Sequence, residues 1–184
     1  MCHNIAMDRK NKVVETFAIT TFGTIANSLL GTNTTDIECD DDTARRCIIN
    51  EQITPTDRRE ILDLIRTLGF GPNIERLKCS DEDLNIGVEV VVIKANTMPY
   101  GRCCNNVNGG NEVTLYLYPN GNWKGGEVLV EIGPYETIIC DTTCLDNGDW
   151  CGIILDGNTV HEQLPSTDGY LIRIAIHVDT EYYH

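Results

Sequence analysis

Basic charge is scarce in this sequence: 14 Lys and Arg stand against 28 Asp and Glu, a net charge of −14. A surface that negative repels phosphate backbones and anionic lipid, so nucleic-acid or membrane-surface binding would need a local basic patch. None is visible, because the densest basic cluster, Arg58, Arg59 and Arg66, is interleaved with Asp57, Glu60 and Asp63. Long apolar runs are also lacking, and none approaches the roughly 18 residues that a membrane span requires. Residues 1–12 are polar and carry no apolar signal-peptide core. The expectation is a soluble protein of the cytoplasm, a host cytoplasm included. Histidine is rare as well, at four residues, which leaves little room for imidazole-rich metal sites.

Cysteine, by contrast, is abundant, and its count of nine is odd. An odd number without an export signal points to reduced thiols. A zinc site from Cys140, Cys144 and Cys151, joined by Cys103 or Cys104, is the alternative. Zinc knuckles normally come as two closely spaced pairs, and here there is one. The acidic loop at Asp36, Glu38, Asp40, Asp41 and Asp42 lacks the turn glycine and distal Glu of a calcium loop, so it reads as a solvated loop.

With 184 residues, 41% of them hydrophobic, the chain can bury a full core of one domain. Residues 1–86 read as a helical and irregular region that packs on a core formed by residues 87–184. One helix is well signalled: Thr54 caps it, Pro55 opens it, and Asp57 complements the positive end of its dipole. Ile61, Leu62, Leu64, Ile65 and Leu68 recur at helical spacing, and Gly69 is expected to stop it. Strands follow at 88–93, 112–118, 127–132, 137–140, 152–155 and 171–178, separated by clusters of Gly, Asn, Asp and Pro. The pattern is mainly β with a helical buttress, a sandwich or barrel.

The segment from Asn105 to Trp123, NNVNGGNEVTLYLYPNGNW, resembles the central block of prolyl hydroxylases, the oxygen-sensing type above all. These are Fe(II)- and 2-oxoglutarate-dependent oxygenases. Gly125-Gly126-Glu127-Val128 is similar to their Gly-Gly-Glu-Leu strand, and His161-Glu162 with Pro165 to their distal His-Glu-x2-Pro motif. The resemblance spans residues 88–179 and implies a double-stranded β-helix (jelly-roll-like). It also implies three iron ligands, a His-x-Asp pair and a distal His. His161 fits the last. A gap-free match puts Arg102 at the first position, and arginine cannot donate a lone pair to a metal. Cys104 falls at the Asp position. Tyr118 matches a tyrosine that binds the far carboxylate of 2-oxoglutarate. The basic clamp expected near Tyr170 or Leu171 is missing, although Arg173 shares the face of Leu171. The His177-Val178-Asp179 triplet follows the distal motif instead of preceding it, and reads as a strand end.

These substitutions imply a pseudoenzyme without a metal or 2-oxoglutarate cofactor, acting as a protein-binding regulator or decoy, with a viral origin one option. His161 would be a ligand only if metal is bound. Two alternatives stand beside it. One is an active dioxygenase that uses Fe(II) and 2-oxoglutarate to hydroxylate a protein. The other is a structural, virion-type β-sandwich.

Overall fold

The computed structural model describes residues 14–19, 44–48, 54–97, 102–103, 113–119, 123–143 and 150–179. His3, the 36–42 loop, Cys104, Cys144 and His184 lie outside them.

Helix α1 (Pro55–Ile65) begins as its residues dictate. The Thr54 hydroxyl accepts the Asp57 amide at 3.2 Å, and the Asp57 carboxylate accepts the Thr54 amide at 2.9 Å, a reciprocal cap. Gly69 does take the left-handed conformation, with φ 91°. The chain nevertheless does not stop there. It passes through a π-helical turn, Arg66–Phe70, into a second short helix, α2 (Gly71–Arg76), because Pro72 supplies a fresh helix start. Ile61, Leu62 and Ile65 are buried on α1, whereas Leu64 and Leu68, expected on the same inward stripe, are only half-buried at its border.

The described residues form eleven strands: β1 (Val14–Ile19), β2 (Ala44–Ile48), β3 (Asn85–Lys94), β4 (Val113–Tyr118), β5 (Lys124–Gly125), β6 (Val128–Gly133), β7 (Glu136–Cys140), β8 (Trp150–Asp156), β9 (His161–Gln163), β10 (Ser166–Asp168) and β11 (Tyr170–Asp179). The large sheet has six strands in the order β1-β8-β4-β11-β3-β2. Facing it is the three-stranded sheet β7-β6-β9, and β10 pairs with β5. Every pairing is antiparallel. The architecture is the mainly β, double-stranded β-helix that the strand spacing and the family resemblance imply. Two of its strands, β1 and β2, come from the segment read as helical or irregular.

Alternation splits the large sheet into two faces. Val113, Leu115, Leu117, Ile174, Ile176 and Val178 pack against Ile61, Leu62, Ile65 and Phe70 of the helical layer. Tyr116, Tyr118, Ile153, Leu155, Leu171 and Ala175 point the other way and meet Val128, Val130 and Cys140 of the small sheet. Covered on both sides, β4 is buried at all six positions. Among the described residues no helix is long and apolar enough to cross a membrane.

Candidate functional site

Within the largely apolar space between the sheets, polar side chains from three strands, β4, β9 and β11, meet. His161 opens β9 and is 1% exposed. Its Nδ1 lies 2.9 Å from the Thr159 carbonyl, which can only accept, so Nδ1 carries the hydrogen. In the neutral ring Nε2 is then an acceptor, and it takes the Tyr116 hydroxyl at 2.9 Å. Two residues along each strand the pattern repeats. The Tyr118 hydroxyl donates to Gln163 Oε1 at 3.0 Å, and Gln163 Nε2 donates to the Gly126 carbonyl at 2.5 Å.

Arg173 joins the two halves. Its guanidinium carbon stands 4.9 Å from the centroid of the Tyr116 ring, and its Nη1 donates to Gln163 Oε1 at 3.2 Å. A buried cation is thus held by an aromatic face and a neutral amide oxygen. His177 extends the cluster toward the edge, with Nδ1 3.2 Å from the Thr114 hydroxyl and its ring edge-on to Tyr116.

Burial pushes the His161 imidazole below its ordinary range, aided by the positive charge of Arg173 and by His177, while the bond to Thr159 opposes the shift. The unfolded chain takes up a proton on this ring below about pH 6.5, and the fold resists it. Stability from the neutral ring is therefore complete above that pH and is lost as pH falls through the lowered folded value. Urea unfolding at pH 7.5 and 5.5 should show a larger acid loss in the native chain than in His161→Gln. The excess should reach at most about 1.4 kcal/mol per pH unit. Equal losses would mean that the folded ring protonates freely.

The backbone decides where Arg102 and its neighbours point. Cys103 and His161 form an antiparallel bridge with two hydrogen bonds, Cys103 N to His161 O at 2.9 Å and His161 N to Cys103 O at 2.8 Å. Directly opposed residues share a face, so Cys103 looks inward with His161, and Arg102 looks outward. Arg102 is 64% exposed at its side chain and forms an ion pair with Glu131 on the outer surface of the small sheet. The structure brings His161, Tyr118 and Arg173 into one network and leaves Arg102 outside it.

Among the described residues, no three His, Cys, Asp or Glu side chains gather around a metal position. His161 could contribute one ligand, but its Nε2 lone pair holds the Tyr116 proton. Cys104, the second candidate ligand, lies outside the described residues. For the thiols, Cys79, Cys103, Cys140 and Cys151 form no disulfide. Cys151 Sγ donates to the Asp141 carbonyl at 3.1 Å.

Tyr116 and Gln163 escaped the sequence reading, and Cys103 entered it only as an optional zinc ligand. The signal for the first two was the two-residue period: Tyr116 shares a strand face with Tyr118, and Gln163 shares one with His161. Cys103 could be placed only by its pairing across to His161.

The fold is that of the Fe(II)- and 2-oxoglutarate-dependent oxygenases. A prolyl-4-hydroxylase from Pseudomonas putida superposes with a TM-score of 0.62 at 14% identity, covering 92% of this chain and 93% of that one. An oxidoreductase of the 2OG-Fe(II) oxygenase family from Burkholderia pseudomallei gives 0.55 at 10% identity, covering 90% and 85%. The prolyl hydroxylase of Trichoplax adhaerens, in complex with a hypoxia inducible factor oxygen degradation domain peptide fragment, gives 0.52 at 14% identity, covering 89% and 82%. No family model matches the sequence, and neither does any curated protein.

These neighbours correct the expectation of a chain with no cofactor, since Fe(II) and 2-oxoglutarate define the enzymes that share this fold. The physical reason is the register. That expectation rested in part on Arg102 standing at the first ligand position, and the Arg102 side chain points to the opposite face of the sheet.

Proposed function

We propose that this chain uses the prolyl hydroxylase fold to bind a protein, as a regulator or decoy, and does not turn over a prolyl substrate. The supporting observation is the Tyr116 hydroxyl on His161 Nε2. Oxygen activation needs an open metal face, and here the His161 Nε2 lone pair is taken up by a buried hydrogen bond from Tyr116, whose ring meets the Arg173 cation. Protein binding draws support from the Trichoplax adhaerens neighbour, which holds a peptide.

The alternative, an active dioxygenase using Fe(II) and 2-oxoglutarate, is favoured by the same neighbours. In that reading Tyr118 and Arg173, which meet on Gln163, bind a carboxylate of the co-substrate. The two readings part in one assay. With Fe(II), ascorbate and 2-oxoglutarate supplied in excess, succinate release in the presence of prolyl peptides should stay at the protein-free background. Turnover that scales with protein concentration would overturn the proposal and establish the dioxygenase.

A further inference from the structure

Strand β7 is the outer strand of the small sheet, and among the described residues no strand pairs with its far side. An edge of this kind offers a row of backbone donors and acceptors, which proteins usually blunt with lysine, proline or a bulge. The sequence of β7, Glu-Thr-Ile-Ile-Cys, contains neither lysine nor proline. Ile139 is 70% exposed, and Tyr135 in the preceding turn is fully exposed. Across the outer face, Ile139 pairs with Leu129 and Leu129 with Glu162, so an apolar pair is bordered by acid. Carboxylates also bracket the strand: Glu136 opens it and Asp141 follows it, both exposed. The Arg102 cation on this face is committed to Glu131.

We propose that β7 is the docking edge for an extended basic segment of a partner polypeptide, which adds to the small sheet as a further strand. This rests on the protein-binding reading above and names the surface and the partner's chemistry. Backbone bonds along β7 would give affinity, apolar side chains would cover Ile139 and Tyr135, and Lys or Arg would face Glu136 and Asp141. A second copy of this chain fits poorly. Pairing through β7 would join two chains of charge −14 each.

The probe is a short peptide of alternating valine and lysine, with a valine–glutamate peptide as control, read by calorimetry and by backbone amide exchange. The valine–lysine peptide should bind and should slow exchange at residues 136–140. Ile139→Lys and Glu136→Lys should each weaken it about tenfold, roughly 1.4 kcal/mol. Tyr170→Ser, exposed on the other sheet, should leave binding unchanged. Equal binding of the glutamate peptide, protection elsewhere, or no binding would overturn the proposal. Self-association of the chain alone with protection at β7 would overturn it in favour of a second copy. Peptide binding is read without catalysis, so turnover of prolyl peptides would sink the pseudoenzyme reading and leave this result standing.

Discussion

Leu62→Ala is expected to lower the unfolding free energy by about 2–5 kcal/mol. Leu62 is 0% exposed in the layer where α1 meets the large sheet. It sits among β-branched and leucine side chains of β3, β4 and β11, which extended backbone holds in place. A cavity there cannot collapse without moving a strand that is hydrogen-bonded on both sides, so the upper part of the range is favoured. Leu64→Ala should cost clearly less, because Leu64 is only half-buried at the margin of the same cluster. Urea denaturation of both variants at neutral pH gives the comparison. Equal costs, or a loss below about 1 kcal/mol at Leu62, would mean that the helix is not anchored as described.

Gly126→Ala should be comparably damaging, by a different route. Gly126 has φ 79°, a conformation that costs an L-residue with a β-carbon about 1–2 kcal/mol. An added Cβ would also stand 2.3 Å from Leu171 Cδ1. Leu171 is 1% exposed, so its side chain has little room to rotate away, and overpacking of this kind adds about 1–3 kcal/mol. The Gly126 carbonyl accepts both Gln163 Nε2 and Thr142 Oγ1. The strain therefore falls on the amide that joins Tyr118 to Arg173. A loss of about 2–5 kcal/mol in thermal or urea unfolding is expected. A variant as stable as the native chain would show that this loop relaxes independently of the site.

Six strands were legible because each is an apolar or β-branched run ended by turn residues; the run at 88–93, for example, became β3. The helix start was legible in Thr54, Pro55 and Asp57, whose reciprocal cap is a local interaction. Strands β1 and β2 were not. The centre of β2 carries Arg45 and Arg46, which mask its alternation, and both strands gain their pairing from residues far along the chain. The facing of Arg102 and Cys103 was not legible for a related reason. Counting residues through a turn cannot reveal which face each side chain takes, and one step of slip exchanges inside for outside. Cys103 faces inward because its backbone pairs with His161, 58 positions later in the sequence.

Strand β1 has a consequence for how the molecule is made. Val14 pairs with Leu155 and Ile19 with Trp150, so one edge of the large sheet waits for β8 to be synthesised. At about 5–20 residues per second that interval is on the order of ten seconds on the ribosome. Pairings this distant also slow the final search, because loop closure must precede their reward. The nascent chain meanwhile carries unpaired strand edges that can template pairing with neighbours. Its excess of acidic residues then acts before any fold exists, since growing chains of like charge repel one another while their sheets are incomplete.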